Sequence, residues 1–362
     1  MRNLSYSVLL TAACSVAGSA ALAQVPDGYP EAYQQTIDLA TNEGRLLVYS
    51  STDSSSVTAL LNAFSARYPG ITVDFLDLSS NDVYTRLTSE SAAGSGTADL
   101  IWAGADTVSQ LVEAGYAAEY QTPEAPNLID GVIWQNSAFG VTIEPITLVY
   151  NPRLVDPVSL PDTHEGLIEL LGSMEMPGMV ATFDPARSAA GLAYGLVDSE
   201  EMGEGYWDLI SAFGDAGALL YSSTSTMVEK VISGEHTHAY NIAGSTAAAN
   251  VASSPDSLAI HKFCDHTPHL VRTMMIPANA RNVNASKLFL DFTLSPEGQQ
   301  LLAATPFGVV RDDVVSDPLL AMPEGCGDAV VLMAPGDDRL KTFDETIRSE
   351  FIADWHVALE AE

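Results

Sequence analysis

From Arg45 onward the apolar residues switch repeatedly between two periods, and this alternation restricts the fold more than any other feature of the chain. Arg45 to Ser50 (RLLVYS) has a buried-strand pattern, after which Val57, Leu60, Leu61 and Phe64 recur at helical spacing on one face. Pro69-Gly70 breaks the chain, and Ile71 to Leu76 reads as a second strand. A helix around Val83 to Ala92 and a strand at Asp99 to Trp102 follow. Strand–helix alternation of this kind predicts an open α/β sheet. In such sheets ligands sit beyond the carboxyl ends of strands, where loops lead into helices.

A chain of 362 residues exceeds what one core usually supports, so two lobes are expected. Pro145 to Asn151 (PITLVYN) is an apolar strand leading into a Pro-rich, acidic stretch that reaches Pro161, which reads as a crossing between lobes. A second module runs to Met275-Ile276-Pro277. Ala285 to Leu294 is then helical, Ser295-Pro296 supplies an N-cap and first-turn proline, and Phe343 to Leu359 reads as a final helix. The expected lobes are residues 24–148 with 277–315, and 149–276 with 316–362. More than one crossing between lobes suits hinge closure.

The compartment is read from the first residues. Arg2, the short apolar run Val8 to Ala13 and the small-x-small pattern Ala21-Leu22-Ala23 form a cleavable export leader over residues 1–23. The run is too short for a permanent membrane helix. Cys14 is not taken as a lipid-anchor site, because Thr11 stands where a leucine is expected. Removal of the leader leaves Cys264 and Cys326, and in an oxidising compartment an even pair predicts one disulfide. That bond removes Cys264 from the only metal-like spacing in the chain, His261, Cys264, His266 and His269, so no metal or cofactor is expected. Against 47 Asp and Glu stand 15 Lys and Arg, only four of them Lys, a surface that repels nucleic acid and anionic lipid.

Three hydroxyl-rich loops precede predicted helices. Ser50-Ser51-Thr52-Asp53 follows the first strand, and hydroxyls beside free N–H groups at a helix start form an anion site. Asp184-Pro185-Ala186-Arg187-Ser188-Ala189 offers Arg187 for bidentate pairing with a phosphate, phosphonate or carboxylate, and Ser188 as a hydroxyl donor. Ser222 to Thr226 contains Ser223 and Thr224 in the third loop. Helix capping is the alternative use of every such hydroxyl. Asp53 and Asp106 are candidates to read an amine or to cap helices. Trp102 is a candidate cleft wall or core residue, and Asn241 a ligand contact or a backbone-satisfying group. No P-loop, Gly-x-Ser-x-Gly elbow or His-Glu-x-x-His helix is present, so no enzyme is expected.

The stretch GRLLVYSSTDSSSVTALLNAFSARYPGITVDF resembles the opening of extracellular solute-binding proteins of the ferric-ion-binding type. SNDVYTRLTSESAAGSGTADLIWAG, PITLVYNPRLV, FDPARSAAG, VISGEH and ASKLFLDFTLSPEGQQLL continue the pattern in the family's order. The resemblance implies a two-lobed type II periplasmic binding protein fold with hinge strands and a central ligand cleft, delivering a small solute to an ABC-type membrane permease; the export leader places the protein in the periplasm, and a monomer is expected. By resemblance, Asp53 stands near the iron binders' histidine position and Gly104 near their glutamate, while the segment for their paired tyrosines reads Tyr240-Asn241-Ile242-Ala243-Gly244-Ser245. The expected ligand is a small anionic or zwitterionic solute, with an organic phosphate or phosphonate favoured. Ferric ion, polyamine binding and a periplasmic phosphoesterase are the alternatives.

Overall fold

The computed structural model describes residues 24–174, 176–342 and 344–361. The leader read over residues 1–23, Cys14 included, lies outside the described residues. Helix α1 (Tyr33–Glu43) is closed by Gly44, whose φ of 67° lets its N–H return to the Ala40 carbonyl. Strand β1 (Arg45–Ser50), helix α2 (Thr58–Arg67), strand β2 (Thr72–Asp77), helix α3 (Ser80–Ala92), strand β3 (Leu100–Gly104) and helix α4 (Ala105–Glu113) follow. β2 and β3 flank β1 in parallel, a pairing that requires the crossovers carrying α2 and α3.

Side chains alternate across this first sheet and bury both of its faces. Leu46, Val48, Leu100 and Trp102 enter a core with Phe64 of α2, while Tyr49, Ile101 and Ala103 enter another with Val83 and Leu87 of α3 and Val108 of α4. The alternation puts Trp102 in the core, one of the two places its sequence position left open, and not on a cleft wall. Sharing the Leu100 face, it is fully buried and edge-on to Phe75 at 6.1 Å.

Strand β4 (Ile133–Trp134) leads into β5 (Ala138–Tyr150), the longest strand of the described residues. The second lobe then holds α5 (His164–Gly172), β6 (Val180–Phe183), α6 (Ala189–Met202), α7 (Glu204–Asp215), β7 (Leu219–Tyr221), α8 (Thr224–Ser233), β8 (His238–Ala243), α9 (Gly244–Ser253) and β9 (Ala259–His261). The chain returns through β10 (Thr267–Met275), α10 (Val283–Leu294), α11 (Pro296–Ala303), β11 (Val330–Met333) and α12 (Glu345–Leu359). Ser295 caps α11, accepting the Gly298 N–H as its Ser-Pro sequence predicts.

The strand order is β2-β1-β3-β10-β5-β8-β6-β7. Phe139 to Pro145 of β5 pair with β10, whereas Ile146 to Tyr150 pair with β8 and β9. One strand therefore serves both halves of the sheet, and β10 lies antiparallel between β3 and β5. α12 packs Phe351 and Trp355 against Tyr206 and Leu209 of α7 in the second lobe. Cys264 and Cys326 are disulfide-bonded, tying the segment before β10 to the tail. His164, Asp265 and His266 bring metal-capable atoms within 4.8 Å. Each histidine already has a carboxylate partner, His164 Nδ1 with Asp265 at 2.9 Å and His266 Nε2 with Asp198 at 3.1 Å. Among the described residues no helix is long and apolar enough to cross a membrane.

Candidate functional site

β1 ends at Ser50, whose hydroxyl curls the chain by donating to the Thr52 carbonyl and accepting the Thr52 N–H, both at 2.9 Å. Ser51 N–H donates to the Trp102 carbonyl in the middle of β3. Beyond Asp53, Ser54 is held through its N–H and hydroxyl to Asp77 at the end of β2. The Ser51–Ser54 stretch is thus fastened to β1, β3 and the end of β2, and it turns into the short helical segment Ser54–Val57.

Beside it stands Arg272 of β10, opposite Gly104 of β3 and Thr142 of β5. Its Nε donates to Glu144 Oε1 at 2.9 Å, its Nη2 lies 2.8 Å from the same oxygen, and its Nη1 lies 3.5 Å from Thr52 Oγ1. The guanidinium also sits 5.0 Å over the Phe307 ring. Glu144 is fully buried, and its Oε2 accepts the Ser245 N–H in the first turn of α9 at 2.5 Å. One carboxylate therefore ties β10, the hinge strand β5 and a helix start of the second lobe together. Pairing on both oxygens is what a buried carboxylate requires.

These groups face a cavity of about 270 Å³. Ser51, Thr52, Asp53, Arg272 and Phe307 line one side, and Ser245, Thr246 and Asn250 of α9 line the other. Guanidinium N–H groups, hydroxyls and a helix N-terminus converge there, an arrangement suited to an anionic group. The lining holds a single carboxylate, Asp53, and no tyrosine.

A second cavity of about 220 Å³ gathers other expected residues, with Ser80, Asn81 and Asp106 on one side and Arg187 and Ser188 on the other. Here Arg187 turns back on its own lobe, its Nε donating to Asp184 at 2.5 Å and its Nη2 to the Leu220 carbonyl. Ser188 caps α6 by accepting the Gly191 N–H. Asp106 accepts from Thr342, and burial raises its carboxyl above the ordinary value. Gly104 caps α4, and a Cβ there would meet Asp106 Oδ1 at 2.6 Å. Tyr194 of α6 is buried; burial, then the charge of Glu144, raise its hydroxyl, Arg272 opposes them and Asp106 adds to the rise.

The remaining expected residues lie elsewhere. Ser223 caps α8 by accepting the Thr226 N–H, and Thr224 opens that helix; neither lines a described cavity with Thr52. Asn241 is buried at a φ of 63°, donating to Asp198, which also accepts from Tyr240 and meets His266. Sequence reading missed Arg272, Glu144, Thr246, Asn250 and Phe307. The signal lay only in strand pairing, since Arg272 and Glu144 meet through the antiparallel register of β10 and β5.

Residues 59–325 match the model of a family described as bacterial extracellular solute-binding protein. The substrate-binding protein of an ABC transporter from Agrobacterium tumefaciens is 30% identical with a TM-score of 0.76, the match covering 87% of this chain and 94% of that one. Iron-bound HitA from Pseudomonas aeruginosa is 20% identical with a TM-score of 0.71, over 87% of this chain and 99% of that one. AfuA from Actinobacillus pleuropneumoniae, with fructose-6-phosphate bound, is 19% identical with a TM-score of 0.68, over 88% and 100%. No curated protein matches the chain. The fold is the two-lobed α/β architecture of these periplasmic binding proteins.

Proposed function

The chain belongs to the bacterial extracellular solute-binding protein family, and from that premise we propose that it captures a small organic anion or zwitterion in the cleft at Arg272 and hands it to an ABC-type permease. The reading places the protein in the periplasm after cleavage near Ala23, as a monomer whose lobes hinge on β5 and β10. The family is one of solute-binding proteins rather than enzymes. The observation that carries the ligand class is Arg272, 3.5 Å from Thr52 and paired through Glu144 to the start of α9.

A tetrahedral phosphate or phosphonate presents three oxygens, and Arg272, Thr52, Ser245 and Thr246 supply more donors than a planar carboxylate needs. Asp53 on the same cavity supplies an acceptor for an amine or hydroxyl elsewhere on the solute. A solute touching Thr52 and Ser245 together favours the closed form, because only that form satisfies both contacts. Ferric ion is less well supported, since a hard cation wants several anionic oxygens and this lining has one carboxylate beside an arginine.

The test is a thermal-shift titration of the protein with aminoethylphosphonate, sugar phosphates, inorganic phosphate, amino acids, polyamines and ferric citrate. A ligand that binds only the folded state raises Tm as its concentration passes Kd. A shift with a phosphonate or phosphate ester, lost in Arg272→Ala, supports the reading. A shift confined to ferric citrate or polyamine overturns the ligand class and leaves the importer role standing.

A further inference from the structure

The amino ends of β6 and β8, opposite the strand ends that face α9, carry a cavity of about 400 Å³ whose lining is unusual in chemistry. Three methionines line it, Met174, Met176 and Met179, from the sequence Met174-Glu-Met-Pro-Gly-Met179. Pro177 and Gly178 turn the chain between the last two, Gly178 at a φ of 81° that suits the third position of a type II turn. The turn is fastened by the Gly178 carbonyl, which meets His236 Nδ1 at 2.9 Å, and by its N–H, which donates to Ala216. Half-buried Met174 and Met179 and exposed Met176 therefore share one pocket with its wall at Leu154.

His238 at the start of β8 closes the pocket. Its side chain is 4% exposed, and its Nε2 is buried without a hydrogen-bond partner. The other ring nitrogen fixes the tautomer. Thr237 Oγ1 donates its one proton to the Met179 carbonyl at 2.9 Å, so at 2.8 Å from His238 Nδ1 it acts as acceptor. Nδ1 then carries the hydrogen, and Nε2 is left with a bare lone pair. A proton on Nε2 instead would be a buried donor with no hydrogen-bond partner.

We propose that Met174, Met176, Met179 and His238 Nε2 form a binding site for a soft monovalent cation of the Cu(I) class. Thioethers are neutral, polarisable donors that hold Cu(I) and reject hard cations, and neutral imidazole is compatible with them. The Thr237 hydrogen bond plays the orienting part that outer groups play for metal-bound histidines. The site is independent of the proposed solute cleft, which uses none of these residues.

Silver(I) as nitrate is the redox-inert probe, titrated into the full chain carrying ε-¹³C-methyl methionine in chloride-free buffer. One equivalent is expected to bind, with the methyl signals of Met174, Met176 and Met179 shifting together and the His238 ring signals with them. Met176→Leu replaces an exposed side chain at nearly constant volume, so it is expected to keep Tm and weaken silver binding at least tenfold. His238→Asn is expected to weaken it further, and competition with bicinchoninate under anaerobic conditions is expected to rank Cu(I) the same way. Absence of silver uptake, uptake that moves other methionine signals, or uptake unchanged in a Met174→Leu, Met176→Leu, Met179→Leu variant of unaltered Tm would overturn the proposal.

Discussion

Of the arginines that line the two cavities, Arg272 and Arg187 are held differently. Arg272 rises from the middle of a strand, 18% exposed, with a fully buried Glu144 as its partner. Arg187 sits in a loop, 58% exposed, and its partner Asp184 is three residues away. The Arg187 pair is local, and its guanidinium is exposed, so water screens that charge although Asp184 itself is buried. Arg272 is built into the junction of β10, β5 and α9, and its remaining N–H groups look onto Thr52 and the cavity. The difference teaches that anion recognition in this cleft depends on which arginine is desolvated and oriented, not on which lies nearest a hydroxyl-rich loop.

Substitution of each arginine is the strongest way to break the comparison. Arg272→Ala leaves Glu144 buried and unpaired, so a stability loss of about 3–5 kcal/mol is expected from chemical denaturation. In calorimetric titration the same variant is expected to lose at least ~100-fold in affinity for an anionic solute. Arg187→Ala is expected to stay within about threefold of the parent in affinity and within about 0.5 kcal/mol in stability. The reverse ranking would move the site to the second cavity. Arg272→Lys keeps the charge and loses the fork, and an intermediate affinity is expected from it.

The second lobe also depends on a covalent tie absent from the first. Cys264 and Cys326 are separated by 62 residues, and opening a loop of that size releases denatured-state entropy of about 4 kcal/mol. The Cys264→Ser, Cys326→Ser variant is expected to lose stability of that order. Its ligand affinity is expected to remain near the parent value, since neither sulfur lines the cavity with Arg272.

Carboxylates in the two lobes respond to pH with opposite sign. Asp291 in the first lobe accepts from Tyr33, Tyr120 and Thr122, yet burial outweighs these bonds and pushes its pKa up to about 6. A raised carboxyl contributes stability that is present below the unfolded value and lost as pH rises through about 6. Acidification from pH 7 to 5 is therefore expected to add about 1–1.5 kcal/mol, a gain missing in Asp291→Asn. Asp265 in the second lobe is shifted the other way: burial raises it, but the His164 hydrogen bond and charge prevail and hold it low. A denaturation series at the two pH values, parent against Asp291→Asn, checks the first sign.

The sequence carried the fold through its periodicities. Val57, Leu60 and Phe64 are buried on one face of the first crossover, and Ser295-Pro296 starts a helix where capping chemistry places it. The site was legible only where it is local. Ser51 to Asp53 follow a strand and precede a helical turn, so their position at a strand end could be read directly. Arg272 in LVRTMM looks like a polar residue on a half-exposed strand, and Glu144 like an interruption of an apolar one. Their contact depends on strand register across a separation of 128 residues, which no local pattern encodes. Trp102 was ambiguous for a related reason, since the face it occupies follows from β3 pairing rather than from its position near a strand end.

Hydroxyls give the smallest and sharpest test. Ser223 and Thr52 both stand before helical segments in similar sequence, and hydroxyl composition alone does not separate them. Ser223 Oγ is taken up by the Thr226 N–H, so Ser223→Ala is expected to cost about 1 kcal/mol of stability and leave ligand affinity unchanged. Thr52 Oγ1 caps no helix and faces Arg272 and the cavity. Thr52→Val preserves shape and deletes that hydroxyl, so it is expected to keep Tm and weaken ligand binding by about tenfold, the value of one hydrogen bond to a charged group. The pair of variants thus separates a hydroxyl that stabilises a helix from one that recognises a ligand. If Ser223→Ala weakened binding while Thr52→Val did not, the solute would have to contact the α8 end of the second lobe, and Arg272 would be a hinge fastening alone.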